Sequence, residues 1–373
     1  MVISRLVAPS SLHLSLLTCR QFDPDTKKHL AAIRDMAEAD CQQVDCAHPR
    51  DPIKDSMSFM AYLKSRQASD KAIATASIWT RAMLGQEPED VSALYFLNYC
   101  KSGGGLLQMR SDRRHGGQYL RIRHGTQSFA QTLAATLPEG TVQLSSPVTA
   151  INQLHQGRVL VQTPNKVVQA SKVISAMPST VLKTVNFHPP LPARKQLLVE
   201  SFNYGYYTKV MMVFGSAFWV TRGFCGLVQS FTGPASVIRD SSIPADSKWV
   251  LTCFLCGDPG RKWSQLGGPE RENALLDQLG DLYGDHTRVR QEYLTMVGHE
   301  WSNEQYSGFG CPCPSLTPGV LTAAGDTLRE PFQDVHFVGT ETAAEWKGYM
   351  EGAVRSGERG AVEVQRQFAM AHL

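Results

Sequence analysis

Phe337-Val338-Gly339-Thr340-Glu341-Thr342, with Trp346-Lys347-Gly348-Tyr349-Met350-Glu351-Gly352-Ala353-Val354-Arg355-Ser356-Gly357-Glu358-Arg359-Gly360 close behind it, is the most informative stretch of the 373-residue chain. The apolar run Val335 to Val338 predicts a short buried strand, Gly339 to Thr342 a polar turn, and the segment from about Tyr349 to the chain end a helix. A helix start presents unpaired backbone N–H groups and stabilises negative charge. Gly352, Gly357 and Gly360 would each cost about 1 kcal/mol relative to Ala inside a helix, so the sequence predicts that something packs closely on that face. Ala353, Gly357 and Gly360, spaced by four and three, form one small-residue stripe. The residues alone leave two readings open, a tightly packed core helix and a helix that faces a ligand.

Upstream, the first hundred residues read as helices. Asp23-Pro24 supplies an N-cap and an N1 proline before Leu30, Ile33, Met36 and Ala37, which share a face. Met57, Met60 and Leu63 follow Ser56 at similar spacing. Ser69 predicts the cap of a helix with Ile73, Ala76 and Trp79 inward, closed by Gly85. Val91 to Cys100 continues the pattern until Gly103-Gly104-Gly105 stops it. A helix over Thr126–Leu137 then feeds β-rich runs at Val148–Asn152, Arg158–Gln162 and Val167–Ser175, which predict a small sheet. Residues 206–220 and 247–256 are strand-like, and Pro269 opens a helix over 269–283. No repeat, low-complexity segment or flexible linker divides these pieces.

A hydrophobic content of 42% over this length provides for one large or two ordinary domains. The net charge of +3, from 37 basic and 34 acidic residues without a block of one sign, argues against nucleic acid as a partner. Nine cysteines, an odd number without a dense framework, point to a reducing compartment. Residues 12–19 are too short and too broken by His13 and Ser15 for a secretory leader. Val210 to Val220 is too short for a bilayer span, so no transmembrane anchor is expected. Cys253-Phe254-Leu255-Cys256 has C-x-x-C spacing with no second pair, which predicts a core strand in place of a metal or redox site. No metal is assigned to any of the eleven histidines, and His336 reads as a satisfied core or edge residue.

The stretch from Phe337 to Gly360 resembles, almost residue for residue, the C-terminal signature of the flavin-containing amine oxidases of the monoamine oxidase type. Val91-Ser92-Ala93-Leu94-Tyr95-Phe96-Leu97, Gly116-Gly117-Gln118, Ser145-Ser146-Pro147-Val148, Ile174-Ser175-Ala176-Met177-Pro178 and Pro189-Pro190-Leu191-Pro192 are similar to further segments of that family, so the likeness covers nearly the whole chain after about residue 30. The resemblance implies a two-domain α/β fold. The FAD-binding domain would comprise 119–200 and 301–368, and the mixed-sheet and helical substrate domain 1–118 and 201–300, with a tail at 369–373. It implies FAD contacts from Gly339, Thr340, Glu341 and Met350, and from the Val148 backbone to the adenine. It places Tyr349 over the flavin, where it steers the amine, with Gln118 on the substrate side. Lys209 matches the lysine that holds a water at flavin N5, and Trp301 a tryptophan beside the isoalloxazine. Cys311 stands where animal monoamine oxidases carry a thioether-linked cysteine, although Pro312 replaces the aromatic that follows, so non-covalent FAD is the alternative. The reaction implied is oxidation of a primary or secondary amine by O2 to an imine or aldehyde and H2O2.

Members of that family open with a strand, a G-x-G-x-x-G turn and a helix. No G-x-G-x-x-G occurs in these 373 residues, and Ser102-Gly103-Gly104-Gly105 reads as a turn. The expectation is therefore an FAD-binding domain lacking its βαβ start, with residues 1–20 suiting a misplaced start codon or a read-through intron. Three readings stay open: an amine oxidase; an oxidase of a polyamine, an amino acid or a biosynthetic intermediate; and a flavin-free remnant that acts as a non-catalytic binding protein. A homodimer is left open. Ala371-His372-Leu373 has the form of a peroxisomal C-terminal address, so the expected location is peroxisome or cytoplasm.

Overall fold

The computed structural model describes residues 2–5, 22–154 and 157–371. The run at 12–19, and His372 and Leu373 of the C-terminal tripeptide, lie outside the described residues. The strands are β1 (Val2–Arg5), β2 (Ala150–Leu154), β3 (Arg158–Gln162), β4 (Val167–Ala170), β5 (Val173–Ser175), β6 (Asn186–His188), β7 (Tyr207–Phe214), β8 (Phe224–Gln229), β9 (Val237–Asp240), β10 (Trp249–Cys256), β11 (Tyr293–Glu300) and β12 (Val335–Phe337). The helices of the first half are α1 (Pro24–Gln42), α2 (Pro52–Asp55), α3 (Phe59–Ser65), α4 (Asp70–Leu84), α5 (Ala93–Ser102), α6 (Leu106–Arg110) and α7 (Gln127–Ala135). They are followed by α8 (Ser179–Leu182), α9 (Ala193–Ser201), α10 (Phe218–Thr221), α11 (Gly257–Ser264), α12 (Gly268–Tyr283), α13 (His286–Glu292), α14 (Val320–Ala324) and α15 (Met350–Ala371).

The chain forms two compact units, the first from Met1–Met36, Asp51–Phe96 and Phe202–Gly319, the second from Ala37–Arg50, Leu97–Ser201 and Val320–Leu373. In the first unit an antiparallel sheet runs in the order β1-β8-β9-β10-β7-β11. Alternation along β7 buries Thr208, Val210, Met212 and Phe214 and leaves Lys209 exposed on the other face. The buried row meets Leu251, Cys253 and Leu255 of β10 and Leu275, Leu276 and Leu279 of α12. Cys253 and Cys256 are thus core-strand residues, and burial pushes the Cys253 thiol up to about 12. The strand expected over 206–220 ends at Phe214, because Gly215-Ser216 breaks it before α10. Ser69 caps α4 through the Ala72 N–H, and Gly85 closes it with φ +70, pressed against the Tyr206 carbonyl. The cap of α3 is Ser58, whose Oγ accepts from the Ala61 N–H.

The second unit holds a four-stranded sheet, β4-β3-β2-β6, and the parallel pair β5 and β12, in which Val335 stands opposite Val173 and Phe337 opposite Ser175. Ile151, Val159, Leu182, Val185, Val335 and Phe337 form its core. His336 is wholly buried, with Nδ1 3.0 Å from Glu363 and Nε2 3.2 Å from Gln367 of α15. The buried face of α15 runs through Gly352 against Trp346 and Ala343, Ser356 against Gly339, and Gly360 against Val338, while Ala353 is exposed and Gly357 borders open space. The small-residue stripe expected at Ala353, Gly357 and Gly360 is therefore corrected to a spacing of four and four. Helix α7 has no buried residue and exposes Phe129 and Leu133. No described helix is long and apolar enough to cross a membrane.

Candidate active site

The second unit brings together most of the residues singled out near the C-terminus. β12 ends in a sharp turn at Gly339, where φ of +113 favours glycine. The Gly339 N–H donates to Ser356 Oγ at 3.0 Å, so its role here is conformational. Thr340 Oγ1 donates to the Tyr349 carbonyl at 2.9 Å, joining the turn to the start of α15. Glu341 is buried; Oε1 accepts the Ser179 N–H at 3.1 Å, and burial raises its carboxyl above the usual range despite Lys347 nearby. Three cations satisfy carbonyls of this segment. Lys347 Nζ donates to Glu341 O at 2.6 Å, Arg329 Nε to Thr342 O at 2.5 Å, and an Arg359 terminal nitrogen to Phe337 O at 2.8 Å.

Tyr349 is half-buried, and its hydroxyl lies 3.3 Å from Gln118 Nε2, which also donates to the Met109 carbonyl at 3.1 Å. Gln118 is aimed there by the turn at Gly116-Gly117, where a Cβ on Gly117 would stand 3.0 Å from Met109 O. Met350 is half exposed at the first turn of α15, and Val148 packs against the second unit's core just before β2.

The first unit gathers Lys209, Trp301 and Cys311. Lys209 pairs with His299 of β11 and Phe254 of β10 across the sheet. The His299 and Trp301 rings meet at 4.8 Å in a T-shaped contact, and His299 Nε2 lies 3.2 Å from Glu304. Cys311 Sγ donates to the Tyr207 carbonyl at 3.7 Å, and burial, only partly opposed by Lys209, pushes its thiol up to about 12. Gly310 before it is required because any Cβ would overlap the Tyr204 side chain.

The sequence assigned no role to Ser356, Ser102, Trp346 or Thr180, and it marked Ser175 only as part of the family-like segment Ile174–Pro178. Ser356 had a signal, since it sits four residues from both Gly352 and Gly360. The hydroxyls of Ser175 and Thr180 are buried without a hydrogen-bond partner among the described residues; they lie at the end of β5 and in α8, and no local pattern marks Thr180.

The family model described as flavin containing amine oxidoreductase matches residues 27–365. The chain is 33% identical over 316 residues to amine oxidase [flavin-containing] B of Canis lupus familiaris, covering 83% of this chain and 59% of that protein. It is 32% identical over 294 residues to amine oxidase [flavin-containing] A of the same species, covering 78% of this chain and 54% of the relative. The chain thus spans little more than half the length of these curated relatives. Among solved structures, cyclohexylamine oxidase from Brevibacterium oxydans superposes with a TM-score of 0.83 at 25% identity, covering 97% of this chain and 78% of that one.

Proposed function

The chain belongs to the family of flavin-containing amine oxidoreductases, and from that membership we propose that it binds FAD and oxidises a primary or secondary amine with O2, yielding an imine or aldehyde and H2O2. The observation that carries the reading is the run from the parallel pair β5 and β12 through the Gly339 turn into α15. Ligands of parallel sheets gather beyond the carboxyl ends of the strands, and a helix start favours negative charge.

Two features of the second unit fit such a group. The orphaned hydroxyls of Ser175 and Thr180 sit at the strand-end side, where polar ligand atoms would satisfy them. Gly357 leaves space within 4 Å of where a Cβ would be, although Gly352 and Gly360 on the same helix are tightly packed. A bound flavin supplies the acceptor for a hydride equivalent from the amine and passes the electrons to O2. In this reading Gly339, Thr340 and Met350 line the cofactor's polar chain, and Val148 meets its adenine end through the backbone. Glu341, already bound to the Ser179 N–H, shapes the turn. Tyr349 orients the amine, with Gln118 holding its hydroxyl. Lys209 keeps a water in place, and Trp301 flanks the ring system. Cys311 is a half-buried thiol that burial pushes up to about 12, which makes it a weak nucleophile and favours a flavin that would be held non-covalently.

The test is an absorbance titration of the purified chain at saturating FAD, followed by anaerobic addition of benzylamine or putrescine. Protein-dependent bleaching of the flavin, H2O2 on readmitting air, and release of intact FAD on acid precipitation are expected. A flavin that neither perturbs its spectrum with protein nor bleaches with any amine would leave a non-catalytic binding protein as the better reading.

A further inference from the structure

Trp346 has φ of +54, in the left-handed region that a bulky L side chain rarely adopts. Nothing in the mechanism above uses it. Its surroundings show what keeps the backbone there. The Trp346 N–H donates to the Ser102 carbonyl at 2.8 Å, and the next N–H, of Lys347, donates to Ser102 Oγ at 3.1 Å. The Tyr349 N–H donates to the Trp346 carbonyl at 3.0 Å. That carbonyl is also pressed on Gly352, where any Cβ would overlap it, and the indole edge lies 3.3 Å from where a Cβ on Gly117 would stand. A strained residue persists only where its surroundings over-determine it, and Ser102, Gly117, Tyr349 and Gly352 do so here.

With the backbone fixed, the indole is directed at Tyr349. The ring centroids are 5.4 Å apart and the planes 72° from parallel, an edge-to-face arrangement in which aromatic quadrupoles attract. We propose that Trp346 is a positioning residue that sets the ring plane of Tyr349, with Ser102 as its anchor and Gln118 as a second restraint on the Tyr349 hydroxyl. The inference rests on the reading of Tyr349 as the aromatic that orients the amine. A tyrosine tethered only at its hydroxyl can still turn about its side-chain torsions; a T-shaped neighbour removes that freedom. The ring is then oriented before the amine arrives, which spares the reaction that ordering step.

The full chain with 3-fluorotyrosine at position 349 reads the ring directly by fluorine resonance. The indole ring current should displace the signal from its unfolded value. Trp346→Leu should return it towards that value and broaden it, Trp346→Phe should keep part of the displacement, and Gln118→Leu, with the indole in place, should keep most of it. In FAD-saturated protein, Trp346→Leu should raise KM for benzylamine on the order of tenfold with a smaller change in kcat, and Trp346→Phe should recover most of the loss. A resonance unmoved by Trp346→Leu overturns the proposal. If that variant does not fold, Trp346→Phe decides, because an identical displacement with the smaller ring also overturns it. A moved resonance in a protein whose every variant lacks amine oxidation keeps the positioning and removes the role assigned to Tyr349.

Discussion

Three glycines of α15 occupy that helix for different reasons. A Cβ on Gly352 would overlap the Trp346 carbonyl oxygen, a backbone atom fixed on both sides, whereas one on Gly360 would overlap Val338 Cγ1, which a rotamer change can move. A Cβ on Gly357 would meet nothing within 4 Å. Gly357→Ala should therefore stabilise the cofactor-free chain by about 0.5–1 kcal/mol through helix propensity alone. Gly352→Ala should destabilise it by roughly 1–3 kcal/mol from overpacking, exceeding the same propensity gain. Urea unfolding of the two variants beside the parent checks the order, and a reversal would remove the packing argument. The sequence could announce that the helix is unusually rich in small residues, but not which of them touch something, because that depends on where Trp346 and Val338 come to rest. Lys209 was more legible: strand alternation puts it opposite the buried row of β7. Since its side chain is exposed, Lys209→Met should change stability by no more than about 0.5 kcal/mol while slowing flavin reduction or reoxidation. Stopped-flow rates unchanged in both half-reactions would deny it a place near the chemistry.

Among the elements, those with strong local punctuation were readable from the residues: Ser69 and Gly85 bracket α4, Pro269 opens α12 within a residue of its start, and β3 falls on Arg158–Gln162 as expected. Elements whose character comes from a distant partner were not. The sequence shows α7 to be a helix, yet its apolar spacing did not foretell that Phe129 and Leu133 are exposed. The same holds for α9, where Lys195 is buried with its ammonium beside the Thr327 carbonyl and 4.1 Å from the centre of the Phe337 ring. Burial, with a lesser push from the Arg359 charge, outweighs the Glu330 carboxylate that favours the charged form, and takes the amine from its ordinary 10.5 down to about 8. The sign follows from proton uptake. Between about 8 and 10.5 the unfolded chain binds more protons at this site than the folded one, so stability rises with pH across that window. Below it the folded protein carries the full penalty, on the order of 3 kcal/mol. The difference in unfolding free energy between the parent and Lys195→Met should therefore shift in favour of the parent as pH is raised from neutrality to 10. A difference that stays flat, or moves the other way, would show the amine to be charged and well satisfied where it lies.

At the scale of the whole molecule, the alternation of segments between two units could not come from composition, because the boundaries at Met36 and Phe96 fall inside α1 and α5, where no linker is needed. Family resemblance implied an alternation of segments, and within the second unit β12 pairs with β5, distant in sequence. No G-x-G-x-x-G turn occurs among the chain's 373 residues, and the Gly339 N–H is already given to Ser356. Among the described residues the start of α15 is the helix terminus that this run offers a diphosphate, and such a terminus contributes about 0.3–1 kcal/mol, rising to about 2 in a partly buried setting. Nanomolar binding needs about 12 kcal/mol. Adenine and ring contacts must then carry nearly all of the affinity, and we expect this chain alone to hold FAD with a Kd in the micromolar range or weaker. The diphosphate contribution should weaken with salt, since a helix terminus at the surface is screened within about 10 Å at 0.1 M. Flavin fluorescence titration at low and high ionic strength measures both quantities. Nanomolar retention that is indifferent to salt would mean that buried groups outside the Gly339 turn grip the diphosphate, and Ser175 and Thr180, whose hydroxyls lack partners, would be the first to substitute.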